Sequence, residues 1–211
     1  MAFRSLRRAI KLVHAGLIRV GLVPYTRPFG YTVDKWDRTY RQGENDHYGS
    51  LAESGRYGVV LGYIALFGQG LRILDIGCGE GIMRRRIPGE AVARYVGMDI
   101  SKEALARARP ADRSEFRFGN FKAVESELYD LVICNEVLYF IDDVDGLLAE
   151  IGKALAPGGK LVASITRHRG DFALADKLDA KFRLLDRVTI KSDVHHVKWH
   201  VSCHERREAA V

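Results

Sequence analysis

The chain has 211 residues, of which 47% are hydrophobic and 28% are charged. This composition is that of an ordinary globular protein and excludes a disordered or fibrous one, and the length fits a single domain with appendages. The formal net charge of +6 raises the question of an anionic partner such as nucleic acid or a membrane surface. Several of the positive charges fall near the N-terminus, from Arg4 to Arg41. We therefore predict a basic tail rather than a basic cleft, and no nucleic-acid partner.

The three cysteines are an odd number without the spacing of a metal site. They are Cys78, Cys134 and Cys203. Two of them stand in runs that are typical of buried strand ends. We expect a reducing, cytoplasmic setting and no bound metal.

Residues 1–30 are predicted to form a basic amphipathic helix or tail. Leu6, Ile10, Val13 and Leu17 recur at helical spacing, and the apolar run is too short to span a bilayer. Two interpretations stay open. The helix packs on the domain or on a protein partner, or it lies weakly on the inner face of a membrane.

Residues 31–70 are predicted to form a helical cap. The stretch from Trp36 to Tyr63 is rich in aromatic and charged residues and becomes apolar from Val59 to Leu66. Trp36 and Tyr40 share one helix face by their i, i+4 spacing, so they either pack together or, in the case of Tyr40, close over a ligand. The main domain then spans residues 71–206, with a tail at 207–211.

From Leu71 onward, short apolar runs alternate with helical patterns, which is typical of βαβ units in a parallel sheet. This alternation predicts an α/β fold with a doubly wound, mostly parallel sheet in three α/β/α layers. The predicted strands are Arg72–Ile76, Ala93–Met98, Glu115–Phe118, Tyr129–Asn135 and Lys160–Thr166, and the predicted helices are Ser101–Ala108 and Val144–Leu155.

The C-terminal region has the two-residue period of β-strands. Val197–His204 alternates strictly between apolar and polar residues, and Arg187–Lys191 alternates similarly. We predict an antiparallel strand pair at the end of the sheet, with one wet face. Because His196, His200 and His204 would share that face with Lys198, a solvated face is favoured over a metal site.

The first strand of the sheet runs directly into a glycine-rich turn. Asp75 ends the strand, and Gly77, Gly79 and Gly81 follow at alternate positions. Glycines let the backbone turn sharply and let a ligand approach closely. A dinucleotide fingerprint would need glycine where Ile82 stands. Since Asp75 would repel a phosphate, the pattern favours a ligand with an ammonium group.

The second strand ends at Asp99. A carboxylate at that strand end can accept hydrogen bonds from both hydroxyls of a ribose. The alternative is a surface aspartate that caps the next helix, but Ser101 already suits that position. We therefore favour a nucleoside ligand.

At these residues the sequence resembles the class I S-adenosylmethionine-dependent methyltransferases, whose fold is Rossmann-like. The resemblance covers roughly Tyr31 to Thr166. It continues in Gly119-Asn120-Phe121, in Asp130–Leu138 and in Leu155–Leu161. The segment Asn135–Phe140 is also similar to that of nodulation N-methyltransferases.

The resemblance implies which residues hold S-adenosylmethionine. Asp75 and the loop Gly77-Cys78-Gly79 would hold its methionine part, Asp99 and Ile100 its ribose region, and Asn120 with Phe121 its adenine. Asn135 would lie beside the sulfonium, and Tyr40 would cover the cofactor. The family often has aspartate where Asn120 stands, and an amide oxygen there can still accept a hydrogen bond from the adenine amino group.

A proton acceptor is needed only if the nucleophile is a hydroxyl or an ammonium group. By position, the candidates are Glu136, Tyr139 and His168. Each has a structural alternative: Glu136 starts a helix, Tyr139 packs in the core, and His168 is solvated within a basic run.

We therefore expect methyl transfer to oxygen or nitrogen of a small molecule, with a saccharide or related metabolite as the favoured acceptor. One alternative is a nucleic-acid methyltransferase, although the segment Asn135–Leu138 lacks the motif of base-methylating relatives. A second alternative is a non-catalytic cofactor-binding module that docks through its basic N-terminus.

Overall fold

The computed structural model describes residues 32–109, 111–120, 127–166, 171–194 and 196–207. The predicted N-terminal helix of residues 1–30 lies outside the described residues, as do Phe121 and His168. Within the described ranges, no helix is both long and apolar enough to cross a bilayer.

Six α-helices and seven β-strands make up the described chain, with short 3-10 turns between them. Two helices precede the sheet, α1 (Val33–Arg41) and α2 (Ser54–Phe67). The later helices are α3 (Ile82–Arg86), α4 (Lys102–Arg107), α5 (Val144–Ala154) and α6 (Asp171–Lys181). The strands are β1 (Leu71–Ile76), β2 (Val92–Asp99), β3 (Ser114–Phe118), β4 (Tyr129–Asn135), β5 (Leu155–Thr166), β6 (Phe182–Ser192) and β7 (Val197–Arg206).

The strands form one sheet in the order β3-β2-β1-β4-β5-β7-β6. The first five strands run parallel, and β7 pairs antiparallel with both β5 and β6. This arrangement confirms the predicted mostly parallel sheet with an antiparallel pair at its C-terminal end. It also places a reversal of strand order between β1 and β4, where α/β sheets bind ligands.

The central strands β1 and β4 are buried on both faces, since neighbouring residues of a strand point to opposite sides of the sheet and helices cover both sides. Ile73 and Leu131 pack in a cluster with residues of α2 and α3, whereas Leu74 and Val132 pack with residues of α5 and α6. This packing explains why the central strands read as continuous apolar runs rather than as alternating ones.

Helix α4 starts as its sequence predicts. The Ser101 hydroxyl accepts a hydrogen bond from the Ala104 backbone N–H at 3.1 Å. A serine at this position satisfies a backbone donor that the first turn leaves free. The cap fixes the chain immediately after Asp99.

The prediction of one wet face on β7 is wrong for the C-terminal half of the strand, whereas Lys198 and His200 are partly exposed. Ser202 and His204 are 3% and 0% exposed. Helix α6 covers this part of the strand, and the His204 Nε2 lies 3.1 Å from Asp179 Oδ1. Periodicity cannot reveal such a covering helix, because a buried polar side chain with a partner has the same sequence pattern as a solvated one.

Candidate functional site

A large cavity opens at the carboxyl ends of β1, β2 and β4. Its volume is about 1060 Å³, including the open mouth. Residues from α1, α2, the glycine turn and the strand ends line it. They include Trp36, Tyr40, Arg56, Asp75, Gly77, Cys78, Gly79, Asp99, Ile100, Asn120, Asn135, Glu136 and Phe140.

The glycine turn is packed so closely that side chains would not fit. Gly77 and Gly79 have φ angles of +74° and +55°, which L-residues rarely adopt. A Cβ on Gly77 would lie 2.8 Å from the Cβ of Val137, and one on Gly79 would lie 2.7 Å from the hydroxyl oxygen of Tyr40. The turn therefore exposes bare backbone to the cavity.

Asp75, near the end of β1, has a buried carboxyl oxygen without a hydrogen-bond partner in the part of the chain that the structure describes. Its side chain is buried, and Oδ2 accepts a hydrogen bond from the Tyr95 hydroxyl, but Oδ1 has no partner among the described residues. Burial, reinforced by the charge of Asp99, raises the pKa of Asp75 to about 7. A buried oxygen without a donor fits a cationic ligand such as an ammonium group.

Arg56 is a residue of the site that the sequence did not reveal. It lies on α2, is 1% exposed, and lines the cavity with Asp75. Its Nη2 donates to Glu53 Oε2 at 2.8 Å, and its Nη1 donates to Asn135 Oδ1. Its charge also lowers the pKa of Asp75, although burial outweighs this effect. The only signal in the sequence is a lone arginine ahead of the apolar run of α2.

Asp99 lies at the end of β2, where the ribose site was predicted. Its Oδ2 accepts from the Gly79 backbone N–H and its Oδ1 from the Ser101 N–H, both at 2.8 Å. Burial raises the pKa of Asp99. Each carboxylate oxygen can accept a second hydrogen bond, so the group can also receive ligand hydroxyls. Ile100 and Asn120 line the same end of the cavity.

Helix α1 covers the mouth of the cavity. Tyr40 is 7% exposed, and burial raises the pKa of its hydroxyl, so it stays a neutral donor above the glycine turn. Trp36 packs edge-on against Phe140, with ring centroids 4.8 Å apart. Helix α1 thus contacts the glycine turn through Tyr40 and the segment after β4 through Trp36.

The structure brings two of the three catalytic candidates together. Glu136 lines the cavity and is 9% exposed, and its carboxylate accepts from the hydroxyls of Tyr139 and Thr166. The Ser164 hydroxyl donates to Asn135 Oδ1 at 2.6 Å and lies 3.1 Å from Glu136 Oε1. Its φ of +61° is uncommon for a residue other than glycine and costs roughly 1–2 kcal/mol. Residues held in such conformations are concentrated at functional sites. Tyr139 contacts this carboxylate from the buried side, at 2.8 Å.

The strand order and the cavity at its reversal point define a class I methyltransferase fold. Residues 74–163 match the sequence model of a family described as a methyltransferase domain. These residues are therefore similar to that family of methyltransferase domains, and the described chain has the Rossmann-like fold of the class I methyltransferases.

Curated proteins that are similar to this chain in sequence include O-methyltransferases. The ubiquinone biosynthesis O-methyltransferase of Rhodopseudomonas palustris (strain BisB5) is 34% identical over 114 residues, which are 51% of this chain and 45% of that protein. The chain thus spans about half the length of the curated relatives it matches.

Solved structures share the fold at lower identity. The N-methyltransferase NodS from Bradyrhizobium japonicum WM9, in complex with S-adenosyl-l-homocysteine, has a TM-score of 0.67 and 20% identity, over 82% of this chain and 100% of NodS. The [4+2]-cyclase SpnF has a TM-score of 0.61 and 17% identity, over 71% of this chain and 81% of that one. The fold therefore hosts more than one kind of reaction.

Proposed function

We propose that the protein transfers a methyl group from S-adenosylmethionine to oxygen or nitrogen of a small molecule. The observation that carries this proposal is the pairing of opposite charges in one cavity, where the orphaned Asp75 carboxylate and the buried Arg56 guanidinium lie at the same end. These charges match the ammonium and carboxylate groups of an amino-acid ligand. Asp99, at the neighbouring strand end, suits the ribose of a nucleoside.

The residues of the chain fit this cofactor along the whole cavity. Asp75, Gly77, Cys78 and Gly79 would hold the amino-acid part together with Arg56. Asp99 and Ile100 would hold the ribose, and Asn120 with Phe121 the adenine. Asn135 would lie beside the sulfonium. The bare backbone of the glycine turn allows the close approach that this placement needs.

When bound, S-adenosylmethionine supplies a methyl group that is activated by its positive sulfur. The protein contributes alignment and shelter from water, which can remove a large part of the barrier to a two-molecule reaction. The Asn135 side chain is held in one orientation, because its Oδ1 accepts hydrogen bonds from Arg56 and from the Ser164 hydroxyl. Trp36, Tyr40 and Phe140 close the apolar side of the cavity.

Glu136 is the proposed proton acceptor when the nucleophile is a hydroxyl or an ammonium group. The residue lines the cavity, and the Tyr139 hydroxyl donates to its carboxylate and orients it. Glu136→Gln should lower kcat for such acceptors by at least tenfold and leave cofactor affinity nearly unchanged. Tyr139→Phe, which keeps the packed ring, should have a smaller effect. Equal kcat in all three proteins would remove Glu136 from this role.

The alternative with specific support is a cofactor-binding protein that catalyses a reaction other than methyl transfer, because a cyclase shares this fold. The two alternatives that the sequence leaves open are a nucleic-acid methyltransferase and a non-catalytic cofactor-binding module that docks through its basic N-terminus. Cofactor binding without methyl transfer to any acceptor would favour the binding module or an enzyme of another reaction class. Fold alone does not distinguish these functions.

The first experiment is calorimetric titration with S-adenosylmethionine and S-adenosylhomocysteine, with NAD and ATP as controls, on the wild type and on Asp99→Ala. Binding of the sulfur nucleosides alone, weakened strongly by the substitution, supports the cofactor. A panel of labelled-methyl assays on phenols, amines and saccharides then tests transfer and the acceptor class. Binding of NAD or ATP instead would refute the proposal.

A further inference from the structure

A carboxylate of the cap helix is tied to the chain that follows Asp99. Asp37, on α1, accepts a hydrogen bond on Oδ1 from the Ser101 hydroxyl at 2.7 Å. The same oxygen accepts from the Glu103 backbone N–H at 3.2 Å. Both donors lie at the start of α4. Asp37 thus joins the mouth of the cavity to the strand end that carries the proposed ribose site.

Ser101 is shared between this contact and Asp99. Its backbone N–H donates to Asp99 Oδ1 at 2.8 Å, while its hydroxyl oxygen accepts from Ala104 N–H at 3.1 Å. A hydroxyl has a single proton to donate, and here Asp37 receives it. The position of α1 and the orientation of the Asp99 carboxylate are therefore set through one residue.

Asp37 makes one of two partly buried contacts between α1 and α4; in the other, the Arg107 guanidinium donates to the Tyr40 carbonyl oxygen. Burial acts to raise its pKa, but the hydrogen bonds from Ser101 and Glu103 outweigh it and hold the pKa below the usual range. The ion pair Arg41–Glu103, at 3.3 Å, joins side chains that are 61% and 40% exposed. Exposed pairs contribute little, whereas a hydrogen bond to a charged acceptor is stronger.

The helix that Asp37 holds carries the two aromatic residues that cover the cavity. Tyr40 lies against Gly79 and Trp36 against Phe140. A nucleoside bound between the glycine turn and Asp99 would lie under this helix. Its release would require α1 to separate from α4.

We propose that Asp37 is a positioning residue that latches the α1 cap over the bound nucleoside and thereby sets the rate of product release. The inference rests on the proposed function, because the ligand it retains is S-adenosylhomocysteine. Asp37 contacts neither the reacting atoms nor, through its described hydrogen bonds, the cavity. It acts through Ser101 and through the covering helix.

The test is the dissociation rate of labelled S-adenosylhomocysteine, measured after a chase with excess unlabelled ligand. The proteins are the wild type, Asp37→Ala, Asp37→Asn and the control Asp34→Ala. Asp34 lies on the same helix, in its first turn, and is exposed. Hydrogen exchange of the α1 amides in the bound state and the melting temperature of each ligand-free protein are measured in parallel.

We expect Asp37→Ala to release the ligand about tenfold faster, as loss of a charged hydrogen bond implies. Asp37→Asn should be intermediate, because its amide oxygen still accepts from both donors but without charge. Asp34→Ala should release at the wild-type rate. Exchange of the α1 amides should follow the same order, with melting temperatures within a few degrees of one another.

Two results would overturn the latch. Unchanged release from Asp37→Ala would show that α1 does not limit dissociation, and equal acceleration in Asp34→Ala would show general fraying of the helix. In both cases the wild type still binds ligand, so the proposed function survives. If the wild type binds neither sulfur nucleoside, the proposed function fails and the latch fails with it.

Discussion

Cofactor affinity should depend on pH through Asp75. Burial raises the pKa of this carboxyl to about 7, and its Oδ1 has no partner among the described residues. An ammonium group binds the ionised form only. Near pH 6 most of the ligand-free protein has a protonated Asp75, so ligand binding must release that proton. At higher pH Asp75 is already ionised, and binding releases little.

The size of the effect follows from that pKa. If binding requires Asp75 to be fully ionised, affinity should fall roughly eightfold between pH 7.5 and pH 6, and binding at pH 6 should release about 0.9 proton. Asp75→Asn removes both the charge and the titration. Its affinity should be about 10–100 times lower than that of the wild type at pH 7.5, with no pH dependence from this group.

The assay is calorimetric titration with S-adenosylhomocysteine at several pH values, in buffers that differ in ionisation enthalpy. This ligand has the ammonium and carboxylate groups of the cofactor and lacks the labile sulfonium. Affinity that stays constant between pH 6 and pH 7.5, together with no proton release, would refute the assignment of Asp75 as the ammonium acceptor. The same slope in Asp75→Asn would assign the titration to another group.

Three further predictions concern stability and the buried arginine. The folded-state pKa of Asp75 lies above its unfolded value, so the ligand-free protein loses stability as pH rises towards and through 7. Asp75→Asn should therefore raise the melting temperature at pH 8 by roughly 4–8 °C, which corresponds to about 2 kcal/mol. At pH 4 the same substitution should change the melting temperature little. Gly77→Ala should lower the free energy of unfolding, measured with denaturant, by at least about 2 kcal/mol, because the φ of Gly77 is +74° and the new Cβ would contact Val137. The control is Gly62→Ala, in α2, where no atom lies within 4 Å of the new Cβ. It should leave the free energy of unfolding unchanged or raise it by up to about 1 kcal/mol. Arg56→Lys should weaken ligand binding about tenfold or more in titration, because an ammonium cannot reproduce a fork that bonds Glu53 and Asn135 together; wild-type affinity in this variant would contradict the role of Arg56.

The parts of the site that sequence reasoning located belong to strand ends. The apolar periods of β1 and β2 identify buried parallel strands, and such strands present their carboxyl ends at one edge of a sheet. The sequence therefore placed Asp75, Asp99 and the glycine turn near one another. The turn with positive φ angles can also be predicted, because glycines at alternate positions are typical of a backbone that other residues adopt only with strain.

Contacts between distant segments left no such local pattern. Arg56 is buried because Asn135 accepts from it across 79 residues of chain, and Asp37 reaches Ser101 across 64. His204 is buried because α6 brings Asp179 to it. The local sequence does not distinguish a charged side chain that is exposed to solvent from one that is buried with a partner, because burial depends on which distant segment packs over it. The sequence by itself therefore predicts the strands, the glycine turn and the polar residues at the strand ends. The hydrogen-bond partners of Arg56, Asp37 and His204 are decided only by the tertiary structure, because they depend on how the helices pack on the sheet.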